Sequence, residues 1–391
     1  MLLNRLRRIT RDGRWIPEVD GLRFVAIASV FLFHLSGELK IRSGRIIPVE
    51  SQYWILDRLV AHGDRGVRLF FVISGMILAM PFARHHLLKS KPVSLRKYYM
   101  RRLTRLEPPY IASVILAAIL EIVYAHGIPS GYISHALASL IYQHSLIFGQ
   151  MSLINSVTWS LEVEIQFYVV APLVMMLFAV QNEYVRRGLM VLAIVLISFA
   201  QLPFMDVTRF GLSICGSLQY FLMGLLVADV YVINLDRMKS SWVWDLAGLL
   251  ALAAIFWPNY DKHRPQLVLP LAIGILCVGA MRSHILRRVL ANPTIAVIGG
   301  MCYSIYLLHF LLIAVVFKVS KHFIIPTATF LPNYLIQLAT MAIPLTIAFV
   351  GFFVLIERPC MDPDWPTKLW VKLTGSREHE PYLLDSADIS E

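Results

Sequence analysis

Apolar residues in this chain come in long unbroken runs, separated by short polar and basic stretches. Runs at 20–38, 66–83, 105–125, 157–180, 189–204, 211–231, 243–257, 266–281, 294–317 and 333–356 read as helical spans. Crossing a bilayer takes about 17–25 predominantly apolar residues. The runs at 189–204, 243–257 and 266–281 are short for this and are expected to extend into their flanks. A further apolar piece from Gly131 to Phe148 contains His135, Gln143 and His144. It reads as an outer-side or re-entrant segment. If it spanned, every later orientation would invert.

The pattern predicts an all-α, polytopic transmembrane bundle of about ten spans. Composition agrees: 57% of residues are hydrophobic and 16% charged, against about 45–50% and about 25% in ordinary soluble domains. Three parts are expected: a basic cytoplasmic N-terminal segment (1–19), a transmembrane domain (20–359) and a polar cytoplasmic tail (360–391). The tail is acidic near its end and holds too little apolar material for a core. The stretch from Met1 to Trp15 is basic but lacks the apolar core of a cleavable signal, so the first span is expected to be retained.

Charge orients the bundle. With the N-terminus inside, 24 of the 36 Lys and Arg fall in inside segments and 10 in outside segments, with Arg23 and Arg68 within spans. Cytoplasmic loops of membrane proteins collect Lys and Arg, so both termini are expected in the cytoplasm. The same rule accounts for the net charge of +11, and no nucleic-acid partner is expected. Cys215, Cys277, Cys302 and Cys360 form no paired motif and no metal-ligand spacing. They read as small hydrophobes, with neither a disulfide framework nor a metal site expected.

Ionisable side chains inside spans are costly and mark function by default. Arg23 and His34 lie within about 20° of each other around the first helix and about 16 Å apart along it. Imidazole is the side chain best suited to accept a hydroxyl proton near neutral pH. Glu162 and Glu164 point about 200° apart on one helix, so at most one faces an interior site, whereas Glu164 and Tyr168 share a face. A buried Glu164 beside His34 could orient the imidazole, as a carboxylate does in hydrolase triads. In CYSIYLLHF, Tyr303, Tyr306 and, less closely, His309 stack on one side. Arg102 and Arg105 in RRLTRLEPPY are neighbours able to grip phosphates from one face. Glu357 ends the last span. Ser74 and Gly75 are small residues that allow close helix packing.

Sorted by depth, Arg23, Arg102, Arg105 and Glu357 belong to the cytoplasmic end, and His34, Glu164 and His309 lie deeper. A basic inner mouth leading to a base suits a phosphate-bearing donor with a long arm. These features alone do not separate such an enzyme from an anion transporter or flippase.

The segments together resemble the integral-membrane acyltransferase 3 family. EVDGLRFVAIASVFLFH is similar to its opening motif. FFVISGMIL, RRLTRLEPPY, WSLEVEIQFYVVAP, YSIYLLH and the final ERP follow in the family order, from about residue 17 to 362. The resemblance implies ten helices, a multi-pass place in the inner (cytoplasmic) membrane, and O-acyl transfer, commonly of acetyl from acetyl-CoA. The acceptor would be a hydroxyl of an envelope polysaccharide, glycolipid or related molecule. No permanently bound cofactor and no metal are implied; acyl-CoA is a co-substrate. Carried over by position, His34 is the catalytic base, with Glu164 and Glu357 as catalytic carboxylates. Arg23, Arg102 and Arg105 bind the donor, and Trp159, Tyr303, Tyr306, His309 and Ser74 line the site or bind the acceptor. Ile165 stands where the family often has a polar residue, and Phe310 follows His309 where a Pro is common.

Overall fold

The computed structural model describes residues 6–8, 15–42, 59–125, 130–257, 260–261, 263–362 and 364–374. Most of the 39–65 loop and the acidic end of the tail lie outside the described residues. Among the described residues every regular element is helical.

The main helices are α1 (Pro17–Arg42), α2 (Gly66–Leu88), α3 (Leu95–Ala125), α4 (Tyr132–Leu140), α5 (His144–Phe148), α6 (Trp159–Val174) and α7 (Glu183–Ala200). They continue as α8 (Leu218–Asn234), α9 (Trp242–Phe256), α10 (Val268–Arg282), α11 (Pro293–Gly300), α12 (Cys302–Ser320), α13 (Phe330–Phe352) and α14 (Trp365–Thr374). Each of the ten apolar runs carries helix. Six stretches are long and apolar enough to cross a membrane: Pro17–Ile41, Gly63–Leu88, Leu95–Val123, Ser156–Ala179, Cys302–Phe323 and Phe330–Glu357. The apolar helices α8, α9 and α10 are shorter. α4 and α5 have 9 and 5 residues, or about 14 and 8 Å at 1.5 Å per residue, too short to span.

The outer surface is apolar in a helical pattern. Leu103, Ile111, Ile115, Ile119 and Val123 recur at multiples of four along α3 and are all exposed. Leu246, Leu249 and Leu250 on α9, and Ile343 and Ile347 on α13, are likewise exposed. A water-soluble monomer rarely shows so much contiguous apolar surface. Helices satisfy their own backbone groups, so hydrocarbon is the solvent such a surface fits. The chain is a multi-pass membrane protein.

α1 lies at the centre and packs against α2, α11 and α12. The crossing of α2 and α8 depends on two glycines. A β-carbon at Gly75 would stand 2.4 Å from the Phe221 carbonyl oxygen, and one at Gly224 would stand 2.3 Å from the Val72 carbonyl oxygen. Gly75 is thus the packing residue that the sequence indicated. A buried ion pair ties α7 to α8: Arg186 Nε donates to Asp229 at 2.5 Å and Arg187 Nε to its other oxygen at 2.6 Å.

Two corrections concern the third and last segments. The RRLTRLEPPY stretch does not open its helix, because α3 starts upstream at Leu95 and carries Pro108 and Pro109 inside it. The tail is not wholly irregular, since α14 occupies part of it. Pro108 has no N–H to give the Thr104 carbonyl, and Trp365 Nε1 of α14 donates to that oxygen at 3.0 Å instead.

Candidate active site

A cavity opens among α1, α2, α3, α6, α12 and the end of α13, with about 840 Å3 of space between its atoms, mouth included. Arg23, Ser74, Arg102, Arg105, Glu164, Tyr303, Tyr306 and Glu357 all stand on its wall. Six helical segments distant in sequence therefore bring eight of the expected site residues together. Trp159, His34 and His309 are not on that wall.

The arginines are held differently. Arg23 pairs with Asp20 one turn earlier at 2.6 Å, and Asp20 also accepts from Arg8 at 3.0 Å and from Trp15 Nε1 at 2.8 Å. Asp20 was missed, although its i,i+3 spacing to Arg23 in DGLR is the signal that finds it. Arg102 and Arg105 form no ion pair with a carboxylate among the described residues; Arg102 lies 5.4 Å from the Tyr168 ring centre. Outside the spans, burial and the neighbouring Arg23 and Arg105 push the Arg8 guanidinium below its ordinary value. The mouth thus holds more positive charge than its carboxylates balance, which favours a polyanionic ligand.

The two carboxylates are fixed by hydroxyls. Glu164 accepts from Ser74 Oγ at 2.6 Å and from Tyr168 OH at 2.5 Å. Ser74 therefore makes a polar contact on the cavity wall and is not merely a packing residue. Glu357 accepts from the Ser304 backbone N–H at 2.9 Å and from Ser304 Oγ at 2.5 Å. It ends a single π-helical turn, Phe353–Glu357, that continues α13. Such turns occur often at functional sites. Glu162, as the spacing required, faces elsewhere: it is fully buried and accepts from the Ser145 N–H at 2.8 Å, holding α5 against α6.

Neither carboxylate touches the imidazole, so the expected Glu164 or Glu357 partnership with His34 is not what the structure contains. Glu164 is held instead by Ser74 of α2 and Tyr168 of its own helix, and Glu357 by the backbone N–H and hydroxyl of Ser304. His34 meets His309 instead, with His34 Nδ1 3.0 Å from His309 Nε2. The rings stand between two cavities. On one side, Tyr306 of the arginine cavity wall lies 5.7 Å from the His309 ring. On the other side, Phe310 lies 5.2 Å from the His34 ring and lines a second cavity with Glu121, Asn155 and Lys318. Tyr306 is anchored by Ser160 at 2.6 Å and by the Val157 carbonyl at 2.5 Å. Tyr303 donates to the Leu106 carbonyl at 2.9 Å. Trp159 packs on Phe71, with ring centres 6.3 Å apart, and under Arg68 at 5.4 Å.

The cysteines form no disulfide, but they are not uniformly buried: Cys215 is exposed and Cys302 lines the cavity. Among the described residues no cluster of three or more His, Cys, Asp or Glu is placed to hold a metal ion.

The model of the acyltransferase 3 family, described as an acyltransferase domain, matches residues 16–357. The chain belongs to the acyltransferase 3 family. The match spans all the cavity-lining residues named above. Among curated relatives of this acyltransferase 3 chain, a peptidoglycan O-acetyltransferase of Listeria monocytogenes is 24% identical, covering 78% of this chain and 50% of the relative. A putative O-acetyltransferase of Staphylococcus aureus is 26% identical, covering 78% and 51%. An O-acetyltransferase of another Staphylococcus aureus strain is 23% identical, again covering 78% and 51%. The chain spans about half the length of the curated relatives it matches. No solved structure matches it.

Proposed function

We propose that this chain is a membrane O-acyltransferase that moves an acyl group, acetyl in the simplest case, from acyl-CoA to a hydroxyl of an envelope polysaccharide, glycolipid or related acceptor. The observation that carries the reading is the pair Arg102 and Arg105. They stand in a cavity wall at ion-pair distance from no carboxylate among the described residues, in a chain of the acyltransferase 3 family. Guanidinium groups in that state suit the phosphates of coenzyme A.

In this reading ten helices cross the inner membrane, both termini are cytoplasmic, and residues 20–359 form the catalytic domain between a basic N-terminal segment and a polar tail. CoA phosphates dock on Arg102 and Arg105, with Arg23 completing the mouth. The pantetheine arm runs past Glu164 and Glu357 toward Tyr306, behind which the two histidines lie. The acceptor hydroxyl approaches from the Phe310 side. Tyr306 and Phe310 stand on opposite sides of the rings, so both must turn for the thioester and the hydroxyl to meet at His34.

His34 acts as general base. It takes the hydroxyl proton as the oxygen attacks the thioester carbonyl. The tetrahedral adduct then collapses, the C–S bond breaks, and the imidazolium returns its proton to the departing thiolate, giving CoA thiol and the ester. General-base assistance of this kind contributes about 10²–10⁴-fold. No protein nucleophile is required.

The test is acyl transfer by purified chain in lipid nanodiscs, with labelled acetyl-CoA and hydroxyl-bearing glycans. Wild-type transfer with loss of at least about 100-fold in His34→Ala is expected. Solute uptake into proteoliposomes without any acyl transfer would replace this reading with transport.

A further inference from the structure

The contacts around His34 and His309 determine where their protons sit. His309 Nδ1 is 2.8 Å from the Tyr306 carbonyl oxygen and 3.2 Å from that of Ile305. Carbonyl oxygens only accept, so His309 Nδ1 carries the hydrogen. In the neutral ring, Nε2 is then a bare acceptor. His34 Nδ1 is 3.0 Å from the Val30 carbonyl oxygen and 3.0 Å from His309 Nε2. Both neighbours are acceptors. Only an N–H at His34 Nδ1 is attractive to either; a lone pair there would face two others. The two rings stand with centres 4.9 Å apart, and His309 is fully buried.

We infer that His309 is a positioning residue that fixes His34 as its Nδ1–H tautomer, leaving His34 Nε2 bare to take the acceptor hydroxyl proton. This rests on the reading of His34 as the base. Each histidine's Nδ1–H is first committed to its own helix one turn back, and the contact between rings follows from those two commitments. Among the described residues no hydrogen bond engages His34 Nε2. When Nε2 is protonated during transfer, the Nδ1–H remains shared between the Val30 oxygen and His309 Nε2. Two acceptors then stabilise the imidazolium, the task a carboxylate performs in hydrolase triads. A neutral partner does this without adding an ion to the membrane interior, where isolated charge is costly.

The test pairs kinetics with nitrogen NMR of full-length protein carrying isotope-labelled histidine. The spectrum should show His34 with Nδ1 protonated and Nε2 bare. His309→Leu, which removes the acceptor, should lower kcat at least about tenfold with KM for acyl-CoA unchanged. His309→Gln, whose amide oxygen can accept from His34, should return kcat to within about threefold of wild type. A bare Nδ1 with protonated Nε2 in the wild-type spectrum overturns the inference. So does an unchanged kcat in His309→Leu, or equal losses in both variants when both bind CoA as wild type does. A wild-type chain that transfers no acyl group refutes the base assignment instead, and the spectrum still decides the tautomer.

Discussion

Ser74 on α2 donates its hydroxyl to Glu164 on α6 at 2.6 Å, on the same carboxylate oxygen that takes Tyr168 OH at 2.5 Å. Two hydroxyls, one from another helix, thus fix the carboxylate that faces the arginine mouth. Glu164→Ala should lower acyl transfer at least about tenfold, because both hydroxyls lose their acceptor and the cavity gains uncompensated positive charge. Ser74→Ala removes one hydrogen bond to a carboxylate and should cost about 1.5–3 kcal/mol. Thermal melting and steady-state rates of the two variants check the ranking. A Glu164→Ala enzyme as active as Ser74→Ala would contradict it.

The α2–α8 crossing has no room for a side chain. Gly224→Val should destabilise by more than the about 1–3 kcal/mol usual for overpacking, because the obstruction at Val72 is backbone. Gly351, with open space around it, is the control: Gly351→Ala should leave the melting temperature nearly unchanged. Melting curves in detergent compare the two.

Asp229 is fully buried between Arg186 and Arg187. Removing one partner of a buried ion pair costs about 3–5 kcal/mol, because a charge is left without compensation. Asp229→Ala should therefore lower melting sharply while leaving CoA affinity of the surviving folded fraction unchanged. A melting curve that overlays wild type would show that the two guanidinium groups find other partners.

Orientation has its own check. In a chain freed of its four cysteines, Ser90→Cys should react with an impermeant thiol reagent only after the membrane is opened. His263→Cys should react in intact cells. The reverse pattern would invert the topology.

The apolar runs made the helices legible, since hydrocarbon demands both length and hydropathy of any spanning segment. The cavity residues were legible because charge inside such a run is costly enough to stand out. Partnerships were not. The Glu164 bond to Ser74 and the His34 contact with His309 depend on how α2, α6, α1 and α12 turn against one another, which no single-helix spacing encodes. The early start of α3 was hidden because its first turns are basic. The docking of α14 was hidden because its anchor is a carbonyl exposed by a proline in another helix. Asp20 was readable at i,i+3 from Arg23 and was passed over because it lies at the edge of the run, where acids are ordinary.

The central claim is that the arginine cavity receives coenzyme A, and equilibrium binding of CoA to purified protein tests it most directly. A hydrogen bond to a charged group contributes about 1.5–3 kcal/mol, which is roughly 10–150-fold in affinity per arginine. Arg102→Ala and Arg105→Ala should each weaken CoA binding within that range, the double variant should lose nearly all of it, and His34→Ala should bind as wild type. Wild-type CoA affinity in the double arginine variant would contradict the account.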